Sequence, residues 1–337
     1  MLAAAPLAAQ SAYVTNIGSN TVSVINTATN TVVATIPVGQ FPVGVAVSPD
    51  GSKVYVGNQA TNNVSVIATA SNTVVATVPL GGAPLAVAAS GSAAYVSTDS
   101  GTLSVIAAGS NAVVANFPVS PAVGMVLSPD QSKLYLTCGD NTIKTISTVT
   151  NAVINSVPIA DLDYGIAVTP DGSKIYAALT TNNVVVFSTL SNSVIATIPV
   201  GSFPSGIAVT PDGSRVYVSN QDSNTVSVIA TATNTVIATV PAGSRPVGVA
   251  LSTDGTKVYV ANSSSNNVSV ISTATNTVIA TIPAGNGPLA LGVFIQSGFP
   301  FVPPPPTVPT LSEWATITLV LALGLIAVGA LKRTQAA

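Results

Sequence analysis

The stretch that decides the fold is PVGVAVSPDGSKVYVGN, residues 42–58. Residues 43–47 form an apolar run interrupted by Gly44, a pattern typical of a strand buried on both faces. Residues 49–51 (PDG) predict a turn, since proline presets φ, aspartate bonds its own backbone and glycine takes a positive φ. Residues 53–56 (KVYV) predict a second strand.

The residues that follow complete a four-stranded unit. NQATNN at 58–63 predicts a loop, VSVI at 64–67 a third strand, and TVVATVP at 73–79 a fourth strand ending at a proline. The segments are short, β-branched and separated by Gly, Pro, Asn and Asp. No helical pattern occurs before residue 311.

This unit repeats along the chain. A tyrosine recurs in the same setting at steps of 40, 41 or 42 residues, at Tyr13, Tyr55, Tyr95, Tyr135, Tyr176, Tyr217 and Tyr259. That period is typical of a propeller blade of four strands. The chain begins at a second strand, whereas GPLALGVFI at 287–295 is a first strand with no second strand after it. The sequence therefore predicts an all-β, seven-bladed β-propeller of four-stranded blades, closed by a split blade of C-terminal and N-terminal strands. The alternative is an open stack of β-repeats.

The tetrad after each tyrosine resembles a known family. YVTN at Tyr13 recurs as YVGN, YVSN and YVAN at Tyr55, Tyr217 and Tyr259. Together with the PDGSK/R and TNTVVATIPVG segments, these tetrads resemble the YVTN-repeat β-propellers, which include surface-layer proteins and are similar to the lactonase-like seven-bladed superfamily. The resemblance covers residues 12–295 and implies a fold more than a function.

The C-terminal part of the chain has a different composition. Four prolines at 303–306 predict a stiff spacer, and 17 uncharged residues at 315–331 are long enough for a transmembrane helix. Lys332 and Arg333 follow, which places the C-terminus in the cytoplasm and the propeller outside. We therefore predict a propeller at 12–295, a Pro-rich linker at 296–307 and a tail at 308–337, after a signal-peptide remnant at 1–11.

VPTLSEW at 308–314 and the apolar run after it resemble the IPTL-CTERM bacterial sorting signal, with a motif formed by Pro309, Thr310, Leu311, Glu313 and Trp314. The resemblance implies recognition by an exosortase-type peptidase and delivery to the bacterial cell envelope or surface. The alternative is a membrane anchor that is never cut.

The composition excludes several chemistries. Histidine is absent, which removes the Ser-His-Asp triad and most zinc sites, and Cys138 has no second cysteine to pair with. Nine Lys and Arg residues are spread along the chain, so we expect no nucleic-acid binding. No catalytic residues are predicted.

The acids divide between the two faces that the predicted topology creates. Acids in the turns after the first strands, such as Asp50, lie near basic residues such as Lys53, and we expect local ion pairs there. On the opposite face lie Asp99, Asp140, Asp161, Asp163 and Asp222. These five are the metal candidates, with Ca²⁺ the preferred ion because its ligands are hard oxygens. The alternative is separate, solvated carboxylates.

The loops between blades offer a candidate ligand or partner surface. Alignment of the repeats places Phe41, Leu162, Phe203 and Arg245 at equivalent positions around one mouth of the channel. Tyr164 joins them because ADLDYG at 160–165 departs most from the repeat consensus. Packing between blades is the alternative interpretation.

The leading hypothesis is an exported, non-catalytic binding or structural module. The first alternative is a lactonase-like, metal-dependent hydrolase that uses the acidic face. The second is a self-assembling surface-layer subunit.

Overall fold

The seven-bladed propeller is confirmed in a computed structural model that describes residues 10–159 and 161–295. Within these ranges, 27 strands form six four-stranded sheets and one three-stranded sheet, with no helix. Strands β1–β3 belong to blade 1, and each following group of four strands forms one of blades 2–7.

Strand order in each blade follows chain order from the axis outward. The innermost strands are β4 (Pro42–Val47), β8 (Pro84–Ala89), β12 (Ala122–Leu127), β16 (Leu162–Val168), β20 (Pro204–Val209) and β24 (Pro246–Leu251). The second strands are β1 (Ser11–Asn16), β5 (Lys53–Asn58), β9 (Ala93–Thr98), β13 (Lys133–Cys138), β17 (Lys174–Leu179), β21 (Arg215–Asn220) and β25 (Lys257–Asn262). The third strands are β2 (Thr21–Asn26), β6 (Asn63–Ala68), β10 (Thr102–Ala107), β14 (Thr142–Ser147), β18 (Asn183–Ser188), β22 (Thr225–Ala230) and β26 (Asn267–Ser272). The outermost strands are β3 (Thr31–Pro37), β7 (Thr73–Pro79), β11 (Ala112–Pro118), β15 (Val153–Pro158), β19 (Ser193–Pro199), β23 (Thr235–Pro241) and β27 (Thr277–Pro283).

Residues 288–295, which we call the closing segment, complete blade 1. The Tyr13 N–H donates to Phe294 O at 2.8 Å, and Leu289 N–H donates to Thr15 O at 2.9 Å. The segment also runs parallel to β4, where Val45 N–H donates to Leu291 O at 2.9 Å. The ring is therefore closed, and the open stack of β-repeats is wrong.

The closing segment differs from the other six innermost strands in its backbone. It pairs with its neighbours at isolated positions, because Ala290 and Gly292 have φ angles of 50° and 118°. These left-handed residues interrupt the pleat, and glycine is the residue best suited to such a φ. The closing segment therefore joins blades 1 and 2 rather than belonging to blade 1 alone.

Glycines allow the innermost strands to crowd around the axis. A Cβ added to Gly206 would lie 2.2 Å from Val247 O, and one added to Gly248 would lie 2.2 Å from Ala290 O. These distances are far inside van der Waals contact, so no side chain fits there. The innermost strands are therefore in backbone contact near one end of the axis.

Each outermost strand carries a β-bulge. Pairing between the third and fourth strands shifts by one residue in all seven blades. The residue without a partner is a Val or Ile with 49–62% of its surface exposed: Val33, Val75, Val114, Ile154, Ile195, Ile237 and Ile279. Bulges and terminal prolines are devices that prevent edge strands from pairing with other chains.

No helix in the described part of the chain is long and apolar enough to cross a membrane. The predicted span at 315–331, the linker and the sorting motif lie outside the described residues.

Candidate functional site

We call the face that carries the PDG-type turns the bottom face, and the face that carries the between-blade loops the top face. On the bottom face, four of the seven repeat tyrosines, Tyr13, Tyr176, Tyr217 and Tyr259, link neighbouring blades through their hydroxyl groups. Tyr217 OH donates to Asn276 Oδ1 at 3.0 Å, and Tyr176 OH donates to Asn234 Oδ1 at 3.0 Å. Each acceptor lies in the third-to-fourth-strand turn of the next blade. The tyrosine of the YVTN tetrad is therefore a structural residue.

Basic residues on the bottom face make a second set of links. Lys257 Nζ donates to Thr27 O at 2.7 Å, Lys174 Nζ to Thr231 O at 3.1 Å, and Arg215 Nη1 to Thr273 O at 2.5 Å. The ion pairs predicted between these bases and their nearby acids are wrong, since the one salt bridge among the described residues is Lys144–Asp140. These bases therefore contact backbone carbonyl groups of the next blade instead of the acids of their own turns.

The bottom-face acids stabilise their own turns. Thr210 Oγ1 donates to Asp212 Oδ1 at 2.5 Å, and Ser214 N–H donates to the same oxygen at 3.0 Å. The Thr210 hydroxyl and the Ser214 N–H lower the pKa of Asp212 despite partial burial. Hydrogen bonds to the ionised carboxylate favour that form. These acids therefore fix the turns rather than forming a reactive site.

The asparagine of the tetrad supports the top-face loops. Asn58 and Asn262 are fully buried, and their Nδ2 atoms each donate to a serine at 2.9 Å, Ser65 and Ser269 respectively. A Cβ added to Gly243 would lie 2.6 Å from Asn262 Cγ. A side chain at Gly243 would therefore collide with the buried Asn262.

Blades 4 and 5 lack this arrangement. Cys138 and Leu179 replace the asparagine, and the loops leading into blades 4 and 5 are one residue shorter. In blade 3, Thr98 replaces the asparagine, but the loop keeps its length. In blade 4, Lys144 fills the space and contacts both Asp140 and Ser120. Partial burial opposes the effect, but hydrogen bonds from Lys144, Ser120 and Thr142 lower the pKa of Asp140 to about 2. Burial raises the pKa of the Cys138 thiol to about 11. The side chain therefore stays protonated at neutral pH and is unreactive, because the thiolate is the nucleophilic form.

The structure does not bring the described top-face acids together. No group of three or more acids or cysteines among the described residues could hold a metal ion. Asp99 accepts a hydrogen bond from Ala83 N–H at 2.8 Å, Asp140 pairs with Lys144, and Asp161 and Asp222 are exposed. The side chain of Asp163 lies outside the described part of the structure.

The alignment that placed Leu162 beside Phe41 is wrong. Asp161 takes that position: its φ is 61°, and its carbonyl accepts Thr180 N–H at 2.7 Å as Phe41 O accepts Gln59 N–H. The loop is one residue shorter here, and β16 has one extra residue between its paired positions. The sequence alignment does not show this shift, because the missing loop residue and the extra strand residue leave the total length of the segment unchanged. The side chains of Leu162 and Tyr164 are not among those described.

Phe41, Phe203 and Arg245 occupy equivalent top-face positions, as predicted. Their φ angles are 59°, 55° and 52°, and each backbone N–H donates to an asparagine Oδ1 of the preceding blade at 2.8–3.0 Å. A non-glycine residue at such a φ costs on the order of 1 kcal/mol. Phe41 is 46% exposed. The candidate surface is thus a set of rigidly held loop residues.

The clearest concave feature lies along the propeller axis and was missed by the sequence analysis. A cavity of about 210 Å³, which we call the axial channel, is lined by the innermost strands and by the turns that follow them. Its lining side chains are aliphatic or proline, apart from Ser128, Gln131 and Ser252 near the turns. The mainly apolar character of the innermost strands, five of the six of which have Gly or Ala at their third position, was the available signal.

Comparisons with known proteins agree with this fold. A family model described as "Lactonase, 7-bladed beta-propeller" matches residues 141–236, and the IPTL-CTERM motif matches residues 307–333. These matches confirm the predicted resemblance to lactonase-like seven-bladed propellers and the C-terminal sorting motif. No curated protein gives a significant sequence match.

Two solved structures share the fold. Kuenenia stuttgartiensis hydrazine synthase is 24% identical with a TM-score of 0.71, covering 78% of this chain and 92% of that one. A functionally unknown protein from Desulfotomaculum acetoxidans DSM 771 is 19% identical with a TM-score of 0.70, covering 84% and 99%. At these identities the likeness concerns the fold alone.

Proposed function

We propose that this protein is an exported β-propeller of the bacterial cell envelope or surface that acts as a non-catalytic binding or structural module. The observation that carries the proposal is the IPTL-CTERM match at residues 307–333, downstream of a propeller that closes at Ile295. A sorting motif implies delivery by an exosortase-type peptidase. The polar side chains that recur in the blades are used to link strands, turns and blades, which supports a scaffold role.

The test is localisation of the tagged full chain in a bacterium that has such a peptidase. External protease should digest the propeller of the wild-type chain in intact cells. Pro309→Ala and Trp314→Ala should leave an unprocessed chain in the membrane fraction, whereas Ser312→Ala, within the motif at a position outside the predicted set, should behave as the wild type. A wild-type chain that remains in the cytosol contradicts the proposal.

A lactonase-like hydrolase is the second candidate, favoured by the family match at residues 141–236. It requires a cation on the top face to polarise a carbonyl group. Excess Ca²⁺ at a hundred times its dissociation constant should then raise the free energy of unfolding by about 2.7 kcal/mol. Asp161→Asn combined with Asp163→Asn should abolish that rise. The absence of any Ca²⁺-dependent shift excludes this candidate.

The outer strands disfavour a surface layer in which neighbouring molecules assemble by pairing their edge strands. The seven bulged outer strands, each ending in proline, oppose pairing between the edges of neighbouring molecules. Sedimentation of the purified chain distinguishes a monomer from ordered oligomers.

A further inference from the structure

The axial channel has the shape of a narrow tube with different ends. Its wall runs along the innermost strands, for example from Gly206 to Pro211, or about 17 Å at about 3.3 Å per residue. At the top-face end, Val43, Val247 and Leu291 form a buried cluster against Ile17 and Leu289. At the bottom-face end the lining continues into the turns at Pro49, Pro129 and Pro211. A ligand would therefore enter from the bottom face.

The wall of the channel is chemically uniform. Val, Ile, Leu, Met and Ala side chains line it, and no charged side chain is among the lining residues whose side chains the structure describes, which do not include Asp163 of β16. The nearest bases on the bottom face, such as Lys174 and Arg215, point to carbonyl groups of neighbouring blades. Uncharged polar groups occur only near the mouth, at Ser128, Gln131 and Ser252. The channel is thus apolar inside and polar at its entrance.

The volume and width of the axial channel limit which ligands fit in it. About 210 Å³ is more than ten times the roughly 10–15 Å³ that one water molecule needs. Apolar cavities favour apolar guests, since burial of apolar surface is favourable and water finds few partners there. Seven innermost strands surround the axis closely, so the guest must be slender.

We propose that the axial channel binds a linear alkyl or acyl chain, inserted from the bottom face with its polar head group at Ser128, Gln131 and Ser252. This ligand class rests on the proposed role as a binding module, and it adds the site and the chemistry. The Ser128 and Ser252 hydroxyls donate to Asp130 and Asp254 of their own turns at 2.6 Å, and Gln131 Oε1 accepts from Gly91 N–H at 3.0 Å. The head group therefore stays at the mouth in contact with water, where a carboxylate or an alcohol remains hydrated.

The experiment is equilibrium dialysis of the full chain, solubilised in cholate, which is a rigid fused-ring steroid with only a short carboxyl-terminated side chain. Labelled decanoic acid and labelled 1-decanol are the probes, and they separate a charged from a neutral head group. We expect saturation at one probe molecule per chain. Unlabelled linear competitors should displace the probe, and adamantane carboxylic acid, a rigid cage, should not.

Val293 provides the decisive variant. It lines the channel and is 40% exposed, so Val293→Asp should fold while placing a carboxylate in the wall. We expect at least roughly tenfold weaker binding, since an apolar chain must then desolvate a charge. The matched control is Val149→Asp, at an 84% exposed position outside the channel lining, which should bind as the wild type. Circular dichroism and the unfolding midpoint confirm that both variants are folded.

Three results overturn the proposal. They are no saturable binding by the wild type, equal binding by Val293→Asp, and displacement by the rigid cage at the same concentration as by linear chains. None of them affects the localisation test, so failure of the channel ligand and failure of the exported role remain distinguishable.

Discussion

The Tyr259 hydroxyl donates a hydrogen bond to Asn30 Oδ1 at 2.8 Å, across the junction between blade 7 and blade 1. The two residues are 229 positions apart in sequence. The same hydroxyl also reaches Thr27 O at 3.1 Å. This link repeats at the ring junction the contacts of Tyr176 and Tyr217 between consecutive blades. The junction is therefore joined in the same way as the junctions that Tyr176 and Tyr217 link.

The Tyr259→Phe variant should reduce the free energy of unfolding by about 1–3 kcal/mol, because the Asn30 side chain loses a buried donor. Tyr55→Phe is the matched control. Tyr55 occupies the same position in its repeat, but its buried hydroxyl has no partner among the described residues. Its removal should leave stability unchanged or slightly higher. Urea unfolding of both variants measures the difference, and equal losses would contradict the role of the hydroxyl.

Stability should fall in alkaline solution. Burial, followed by the nearby Asp171 charge, raises the pKa of Tyr176 to about 12, and burial also raises the pKa of Tyr217 and Tyr259. Since the unfolded value is about 10, the stabilisation is complete below about pH 10 and is lost as the pH rises through the folded pKa. Urea unfolding from about pH 9 to about pH 12 measures this loss. The Tyr176→Phe variant should show a shallower decline.

Stability should also fall in acid. Thr169 and Ser173 lower the pKa of Asp171, and Thr210 and Ser214 lower that of Asp212. For a lowered pKa, the stabilisation is present above the unfolded value of about 3.9 and is lost as the pH falls through the folded value. Asp212→Asn should reduce stability at neutral pH and flatten the acid profile. Asp222→Asn, at an exposed loop residue, should leave stability at neutral pH unchanged.

Gly243 lies against the tetrad asparagine Asn262, whereas Gly81 has no neighbour at its Cβ position. Substitution of these two glycines by alanine should therefore affect stability differently. Gly243→Ala should cost about 1–3 kcal/mol, since the new Cβ would lie 2.6 Å from Asn262 Cγ. Gly81→Ala, in the equivalent loop of blade 3, should be neutral because nothing lies within 4 Å of its Cβ position. Thermal unfolding compares the two variants. A similar loss in both would show that the asparagine contact is not the cause.

The fold could be predicted because its signals are local. The tyrosine period, the Pro-Asp-Gly turns and the complementary ends each follow from short segments such as residues 42–58. The links between blades could not be predicted, because they join residues about one and a half repeats apart, such as Tyr217 and Asn276 at a separation of 59. For that reason the partner of Arg215 was predicted within its own turn, whereas the structure places it in the next blade.

The candidate site was predicted less well than the fold. Equivalent positions for Phe41, Phe203 and Arg245 followed from intact repeats, and the placement of Leu162 failed where a shorter loop and a longer strand compensate. The axial channel is a property of seven strands together. No single repeat shows it.

The closing segment has a mechanical consequence. Residues 288–295 hold the ring together by pairing with β1 and β4, and in sequence Ile295 is the last described residue before the sorting motif. Tension applied through the C-terminus would therefore load this segment before any intact blade. Its hydrogen bonds to Tyr13, Thr15 and Val45 lie on both sides, so they must yield together before the segment is released. A force applied to the C-terminal end would thus act first where the first and last described parts of the chain meet.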